Sequence, residues 1–235
     1  MYKAKSNKYY PLFADLKGKC VLVVGGGKVA ERKVMRLLEA GAQVTLVSPE
    51  VTPTLERLMQ QGKIHHKSRS FKEKDIHGAW LVVAATDNRS VQKEVHALAN
   101  EKQVFCNVVD QPEYCTFIVP SEIRRGDLSI AISTGGKSPA LAKALRRKFE
   151  QEIGEEFGEY LDLLGQLREF VKKKESSHDK RHQTLAALGD LKGLDLYSAS
   201  KWNQLVTWCT QICGTEARQI VQDFLKERSK PSKAC

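Results

Sequence analysis

The chain has 235 residues and a formal net charge of +10, enough length to bury a real core and a basic excess that asks for an anionic partner, nucleic acid or an acidic small molecule. Its longest apolar stretches are of strand length, far short of the roughly 20 residues of a membrane span, and residues 1–8 are polar and basic with no apolar signal-type segment behind them. A soluble, cytoplasmic protein with no membrane partner is expected. Six cysteines at irregular spacing argue for reduced thiols rather than a disulfide framework.

The segment Tyr9-Tyr10-Pro11-Leu12-Phe13 leads through a turn at Leu16-Lys17-Gly18-Lys19 into a first predicted strand, Cys20–Val24. That strand runs into Gly25-Gly26-Gly27-Lys28-Val29-Ala30. As a G-x-G-x-x-A pattern it supplies a tight turn at Gly25, close backbone approach to a pyrophosphate at Gly27 and a small residue at Ala30 for helix-on-strand packing. A helix follows, with Val34, Leu37 and Leu38 at helical spacing and Gly41 placed to end it. A second strand, Gln43–Val47, completes one mononucleotide-binding unit, which favours a dinucleotide site over an ordinary strand-to-helix turn.

Ser48-Pro49-Glu50 comes next. An acid here reads the ribose hydroxyls in many NAD enzymes; Glu50 lies 23 positions after Gly27 but three past the strand, so Ser48 or backbone groups can do the same work. A helix over 54–61, a short strand at 64–66, an apolar strand over 80–85, a helix over 90–100 and a strand over 104–109 continue the alternation expected of a doubly wound α/β domain. Thr86 and Asp87 follow one strand and Asp110 the next, at the carboxyl ends where an open parallel sheet places its ligand contacts. Cys20 and Cys106 are expected inside buried strands.

After Pro112 the pattern changes to a strand pair, 116–120 and 128–132, joined by a turn at Arg124-Arg125-Gly126-Asp127. In Ser133-Thr134-Gly135-Gly136-Lys137-Ser138-Pro139, Ser138 suits an N-cap and Pro139 the first helical position, and the glycines with Lys137 can form a second anion-binding nest or an ordinary capped helix start. From Ala140 the chain reads helical, with Ile153, Phe157, Tyr160, Leu161, Leu164, Leu167 and Val171 on one face of a long helix, an exposed polar loop over 172–181, helices over 202–213 and 216–226, and a disordered tail after Arg228. His178 and His182, and Cys209 and Cys213, are spaced as two metal ligands can be. Each is only a pair, and Cys209 lies on the apolar stripe of Trp202, Leu205, Val206 and Ile212, so no metal site is expected.

Residues 120–150 carry seven Lys or Arg against three acids, an excess suited to a polycarboxylate. A nucleic-acid regulator would instead need a helix-turn-helix with exposed cations on a recognition helix, and the terminal helices offer few; no nucleic acid is expected.

The segments 25–33, Ala84-Ala85-Thr86-Asp87, 105–110 and 133–139, in that order and spacing, resemble the precorrin-2 dehydrogenase / sirohydrochlorin ferrochelatase family, which includes the N-terminal half of siroheme synthase and its stand-alone relatives. The likeness covers roughly residues 11–150. It implies a Rossmann-type NAD-binding domain over 1–115, a dimerisation and substrate-contact segment over 116–150 and a helical C-terminal domain over 151–235, assembled as a homodimer. It further implies NAD-dependent oxidation of precorrin-2 to sirohydrochlorin and, in many relatives, insertion of ferrous iron into the product. The methyltransferase half of siroheme synthase has no counterpart, so precorrin-2 is expected from another protein. The resemblance assigns catalysis to Asp110, which by itself reads as a cap on the turn before Pro112. It places Thr134 where some relatives have a serine near the tetrapyrrole, with Gly135, Gly136, Lys137 and Ser138 beside it.

Overall fold

Five short strands, Cys20–Val24 (β1), Gln43–Val47 (β2), Ile64–Lys67 (β3), Leu81–Ala84 (β4) and Phe105–Val108 (β5), form one parallel sheet in the order β3-β2-β1-β4-β5 in the computed structural model, which describes residues 9–228. The period of two along each strand divides its side chains between two cores. Val21, Val23, Val44, Leu46, Leu81 and Val83 pack with Ala30 and Val34 of helix α1 (Lys28–Glu39) and Leu55 and Leu58 of α2 (Pro53–Gln60). Leu22, Val24, Val47, Val82, Ala84, Cys106 and Val108 pack on the other face with Val95 and Ala99 of α3 (Arg89–Glu101). Because both faces are covered, the central strands β1 and β4 read as near-continuous apolar runs.

Turn chemistry sets the boundaries. Gly41, at φ +75°, ends α1. Thr52 caps α2 by accepting from Leu55 N at 3.3 Å, and Asn88 caps α3 by accepting from Ser90 N and Val91 N at 3.0 and 3.2 Å. The chain passes from β1 to β2 on one side, then returns from β3 to β4 on the other side of β1. A parallel sheet opens its ligand crevice at the carboxyl ends of strands where the order reverses, here β1 and β4.

Two units result, Met1–Val119 with Gly135–Lys137, and Pro120–Thr134 with Ser138–Cys235. The second begins with an antiparallel hairpin, Ser121–Arg125 (β6) and Leu128–Ile132 (β7), turning at Gly126 with φ +54°. Helices α4 (Pro139–Glu152), α5 (Glu156–Lys174), α6 (His178–Leu188), α7 (Leu191–Ser198), α8 (Trp202–Cys213) and α9 (Ala217–Arg228) follow. A core of Tyr160, Leu163, Leu167, Tyr197, Leu205, Cys209 and Val221 holds the last five of these together with their neighbours.

Several expectations are corrected. The first hairpin strand is Ser121–Arg125, not 116–120, because Thr116 and Phe117 cover the sheet edge: Thr116 N donates to Cys106 O at 2.8 Å and Asn107 Nδ2 to Phe117 O at 3.1 Å. Arg124 and Arg125 belong to that strand rather than to its turn, and Arg125 Nε donates to Ile153 O at 2.9 Å. The long helix is two, broken between Glu152 and Glu156. The loop expected over 172–181 shrinks to three residues: Lys174 pairs with Glu216 at 2.6 Å and extends α5, while Ser177 caps α6. Cys20, opening β1, is exposed. Cys209 and Cys213 are buried core residues as expected, and no group of three or more metal-ligating side chains occurs among the described residues. The expected tail after Arg228 and the polar segment 1–8 lie outside the described residues. No described helix is long and apolar enough to cross a membrane.

Candidate dinucleotide site

The loop between β1 and α1 is held from three sides. Gly25 sits at φ +113°, where a Cβ would overlap the Ala85 carbonyl, and its N–H donates to Val47 O at 2.9 Å. At Gly26 a Cβ would overlap the Glu50 carbonyl oxygen, which itself accepts from Ser48 Oγ at 2.7 Å. Thr52 N donates to Gly26 O at 3.1 Å, and the Thr52 hydroxyl donates to the Glu31 carboxylate of α1; that hydrogen bond, with Lys28 beside it, holds the Glu31 carboxyl below its ordinary range. The loop is therefore fixed before any ligand arrives.

Gly27 is the N-cap of α1 and supplies no side-chain cap, and a Cβ built on it would meet no atom within 4 Å. The first-turn N–H groups of α1 thus face open space, the arrangement that receives a phosphate at a helix N-terminus. Ala30 is fully buried and lets α1 lie close on the sheet.

In front of this turn lies a cleft of about 320 Å³ lined by Gly27, Lys28 and Val29, by Ala85, Thr86 and Asp87 after β4, by Arg89 and Gln92 of α3, and by Val109, Asp110 and Gln111 after β5. Six residues named from sequence, Gly27, Lys28, Val29, Thr86, Asp87 and Asp110, share it. Gly25 packs against the Ala85 carbonyl and Ala30 lies in the sheet core, so neither lines the cleft itself. Ser48, Pro49 and Glu50 sit instead beyond the glycine loop at the end of β2; Pro49 and Glu50 are exposed, and Ser48 is buried with its hydroxyl committed to the Glu50 carbonyl.

Asp110 is exposed at φ +59°, a left-handed position that aspartate tolerates better than most residues. The turn carrying it is tied back by Cys115, whose thiol donates to Val108 O at 3.2 Å and Gln111 O at 3.3 Å and accepts from Val108 N. Burial pushes the Cys115 thiol up, so the brace stays protonated. Lys33 of α1 lies close enough to Asp110 to feel its charge; burial, reinforced by Arg32 and Arg36, pushes its amine down against that pull.

The loop Thr134–Ser138 is locally tied. Thr134 Oγ1 accepts from Ser138 N at 3.1 Å, Ser138 Oγ caps Leu141 N at 3.2 Å, and Gly135 and Gly136 take φ of +61° and +81°. Lys137 is exposed. Of the seven cations in 120–150, Arg124, Arg125 and Arg146 are engaged by Glu122, Glu155 and Glu150, which leaves a smaller excess than the count suggests.

Sequence reasoning missed Gly26, Gln92 and Cys115. Gln92 is buried and donates from Nε2 to Thr86 O at 2.7 Å, fixing the wall below the cleft; its spacing of four from the cap Asn88 was the available signal. Cys115 carried none, since its partners are backbone groups brought together only by the turn.

Fold and loop together define a Rossmann-type NAD-binding protein. A family model described as "Putative NAD(P)-binding" matches residues 12–121, and one described as "Sirohaem biosynthesis protein central" matches residues 125–152. Siroheme synthase 3 of Aeromonas hydrophila subsp. hydrophila is 46% identical over 175 residues, covering 74% of this chain and 37% of that protein. Siroheme synthase 2 of Yersinia pseudotuberculosis is 41% identical over 191 residues, 76% and 40% of the respective chains. The chain thus spans less than half the length of these curated relatives. A solved structure titled "SirC, precorrin-2 dehydrogenase" superposes with a TM-score of 0.73 at 29% identity, covering 93% of this chain and all of that one. In sequence the chain is similar to siroheme synthases over its nucleotide-binding and central segments, and in fold to a precorrin-2 dehydrogenase.

Proposed function

We propose that this chain oxidises precorrin-2 to sirohydrochlorin with NAD as acceptor, as a cytoplasmic homodimer, with Asp110 as the base. The observation that carries the reading is the meeting of an uncapped helix N-terminus and a carboxylate across one cleft, at the carboxyl ends of β1, β4 and β5. Bound NAD supplies the hydride acceptor. The glycine loop and the first-turn N–H groups of α1 hold its pyrophosphate, Glu50 and the backbone around Ser48 and Pro49 meet the adenosine ribose, and Thr86 and Asp87 flank the half nearer β5.

Oxidation of the macrocycle removes a hydride and a proton. Asp110, exposed at the rim and held by the Cys115-braced turn, takes the proton. The substrate's acetate and propionate groups suit the exposed Lys137 and the backbone nest of Gly135 and Gly136, with Thr134 and Ser138 shaping that loop. The segment 116–150 is assigned to substrate contact and dimerisation.

Anaerobic incubation with enzymatically generated precorrin-2 and NAD tests this by NADH formation and the tetrapyrrole spectrum, before and after ferrous iron. NADH with a sirohydrochlorin spectrum stable to iron defines a dehydrogenase alone, and enzyme-dependent siroheme adds iron insertion. NAD binding without NADH formation overturns the reading and moves an NAD-responsive nucleic-acid regulator to the front, to be tested by a salt-dependent DNA shift assay.

A further inference from the structure

Two cations close the strand beside the ribose-reading turn. Lys67 ends β3 and Arg69 follows two residues on, and this stretch is stapled to Ser48 and Pro49: Ser48 N donates to Lys67 O at 3.3 Å, His66 Nε2 lies 2.9 Å from Ser48 O, and Ser68 Oγ donates to Pro49 O at 3.3 Å. A free Arg or Lys at this end of the sheet is what the 2′-phosphate of NADP recruits. Neither is free. The Asp75 carboxylate, with no exposed side-chain surface, accepts from Lys67 Nζ at 2.9 Å, from Arg69 Nη1 and Nη2 both at 2.7 Å, and from Lys72 N at 2.9 Å. All four donors converge from β3 and the turn that follows it, so both cationic side chains are turned to Asp75, which offsets one of their two positive charges.

We propose that Asp75 sets dinucleotide choice: by engaging Lys67 and Arg69 it withholds them from a 2′-phosphate, leaving exposed Glu50 to meet ribose hydroxyls, so that the site takes NAD and rejects NADP. The proposal rests on the dinucleotide reading of the glycine loop. Burial alone would raise the Asp75 carboxyl; the Arg69 and Lys67 hydrogen bonds outweigh it and hold the group well below the ordinary carboxylate range, so it remains an acceptor throughout the working pH range.

The test is calorimetric titration of NAD and of NADP into the full chain at one fixed pH and salt concentration, reading the ratio of the two Kd values. In the parent protein NADP binds more than about tenfold more weakly than NAD. Asp75→Asn lowers the ratio roughly tenfold, as a released charged donor to phosphate implies, and adding Lys67→Gln and Arg69→Gln together restores it. Two further variants leave Asp75 in place. Ser68→Arg adds an unengaged cation at an exposed position and lowers the ratio about threefold, whereas Arg69→Gln alone leaves it unchanged. A folded Asp75→Asn protein with the parent ratio, no effect of Ser68→Arg, or weaker NADP binding in Arg69→Gln alone each overturns the proposal. A parent protein that binds neither dinucleotide overturns the site reading itself, a different result from NAD binding with an unresponsive ratio.

Discussion

Asp110 stands at φ +59° on a turn whose carbonyls are gathered by one thiol. A left-handed non-glycine residue costs on the order of 1 kcal/mol or more and persists only where its surroundings fix it. Asp110→Asn keeps both the size and the tolerance for this conformation while removing the carboxylate proposed as the base, which makes it a cleaner variant than alanine. Turnover of precorrin-2 is expected to fall by about 10²-fold or more, with the Kd for NAD nearly unchanged; retained turnover would remove Asp110 from the reaction. At Asp75 the consequence is one of stability. Its carboxyl is depressed in the folded state, so its contribution is fully present above the ordinary value of 3.8 and is lost as pH falls through the lowered one. Urea unfolding of the parent and of Asp75→Asn should therefore differ by a constant amount from about pH 6 to pH 8, begin to converge only below about pH 4, and keep converging as pH falls toward the lowered value.

At the scale of the element, the informative comparison is between the sheet and the helices after it. Alternating strands and helices of the first unit were legible because β1, β4 and β5 are largely buried on both faces and α2 and α3 begin at side-chain caps. Helices α6 and α7 were not, since His178–Leu188 has little one-sided apolar character and buries only Leu188, while α7 is short and contains Gly193. That glycine has a packing reason. A Cβ there would overlap the Tyr160 hydroxyl and the Trp208 ring, both in the buried core. Alanine would gain about 1 kcal/mol of helix propensity, but overpacking typically costs about 1–3 kcal/mol, and neither neighbour can swing into solvent. Gly193→Ala is expected to lower the melting temperature. The Tyr160 oxygen is the buried side-chain polar atom without a hydrogen-bond partner among the described residues, and burial pushes its ionisation up, so it stays neutral. Tyr160→Phe should then be neutral or stabilising, and in that background the cost of Gly193→Ala should shrink; equal costs in both backgrounds would assign the strain to Trp208 alone.

Across the whole molecule, the candidate site was legible wherever it is built from consecutive motif residues, as in the glycine loop, and illegible wherever a side chain is tied to loop backbone outside any motif, as with Gln92 and Cys115. The same distinction separates two kinds of glycine: the role of Gly25 follows from the motif, while that of Gly26 depends on a carbonyl at Glu50 that only the folded β2 turn delivers. Core residues divide likewise. Every buried member of the two sheet cores lies between Leu16 and Val108, and every buried member of the helical core between Tyr160 and Val221. Each unit thus has its own reason to be folded, and the dinucleotide cleft draws its lining from the first alone. A ligand that binds only the native form of one unit stabilises that unit by mass action, by about 2.7 kcal/mol at a hundredfold excess over Kd, or roughly 10 °C for a domain of this size. Scanning calorimetry should resolve two transitions, one moving upward with NAD and the other stationary. If both move together, the units fold as one cooperative body; if neither moves, the cleft does not hold the dinucleotide.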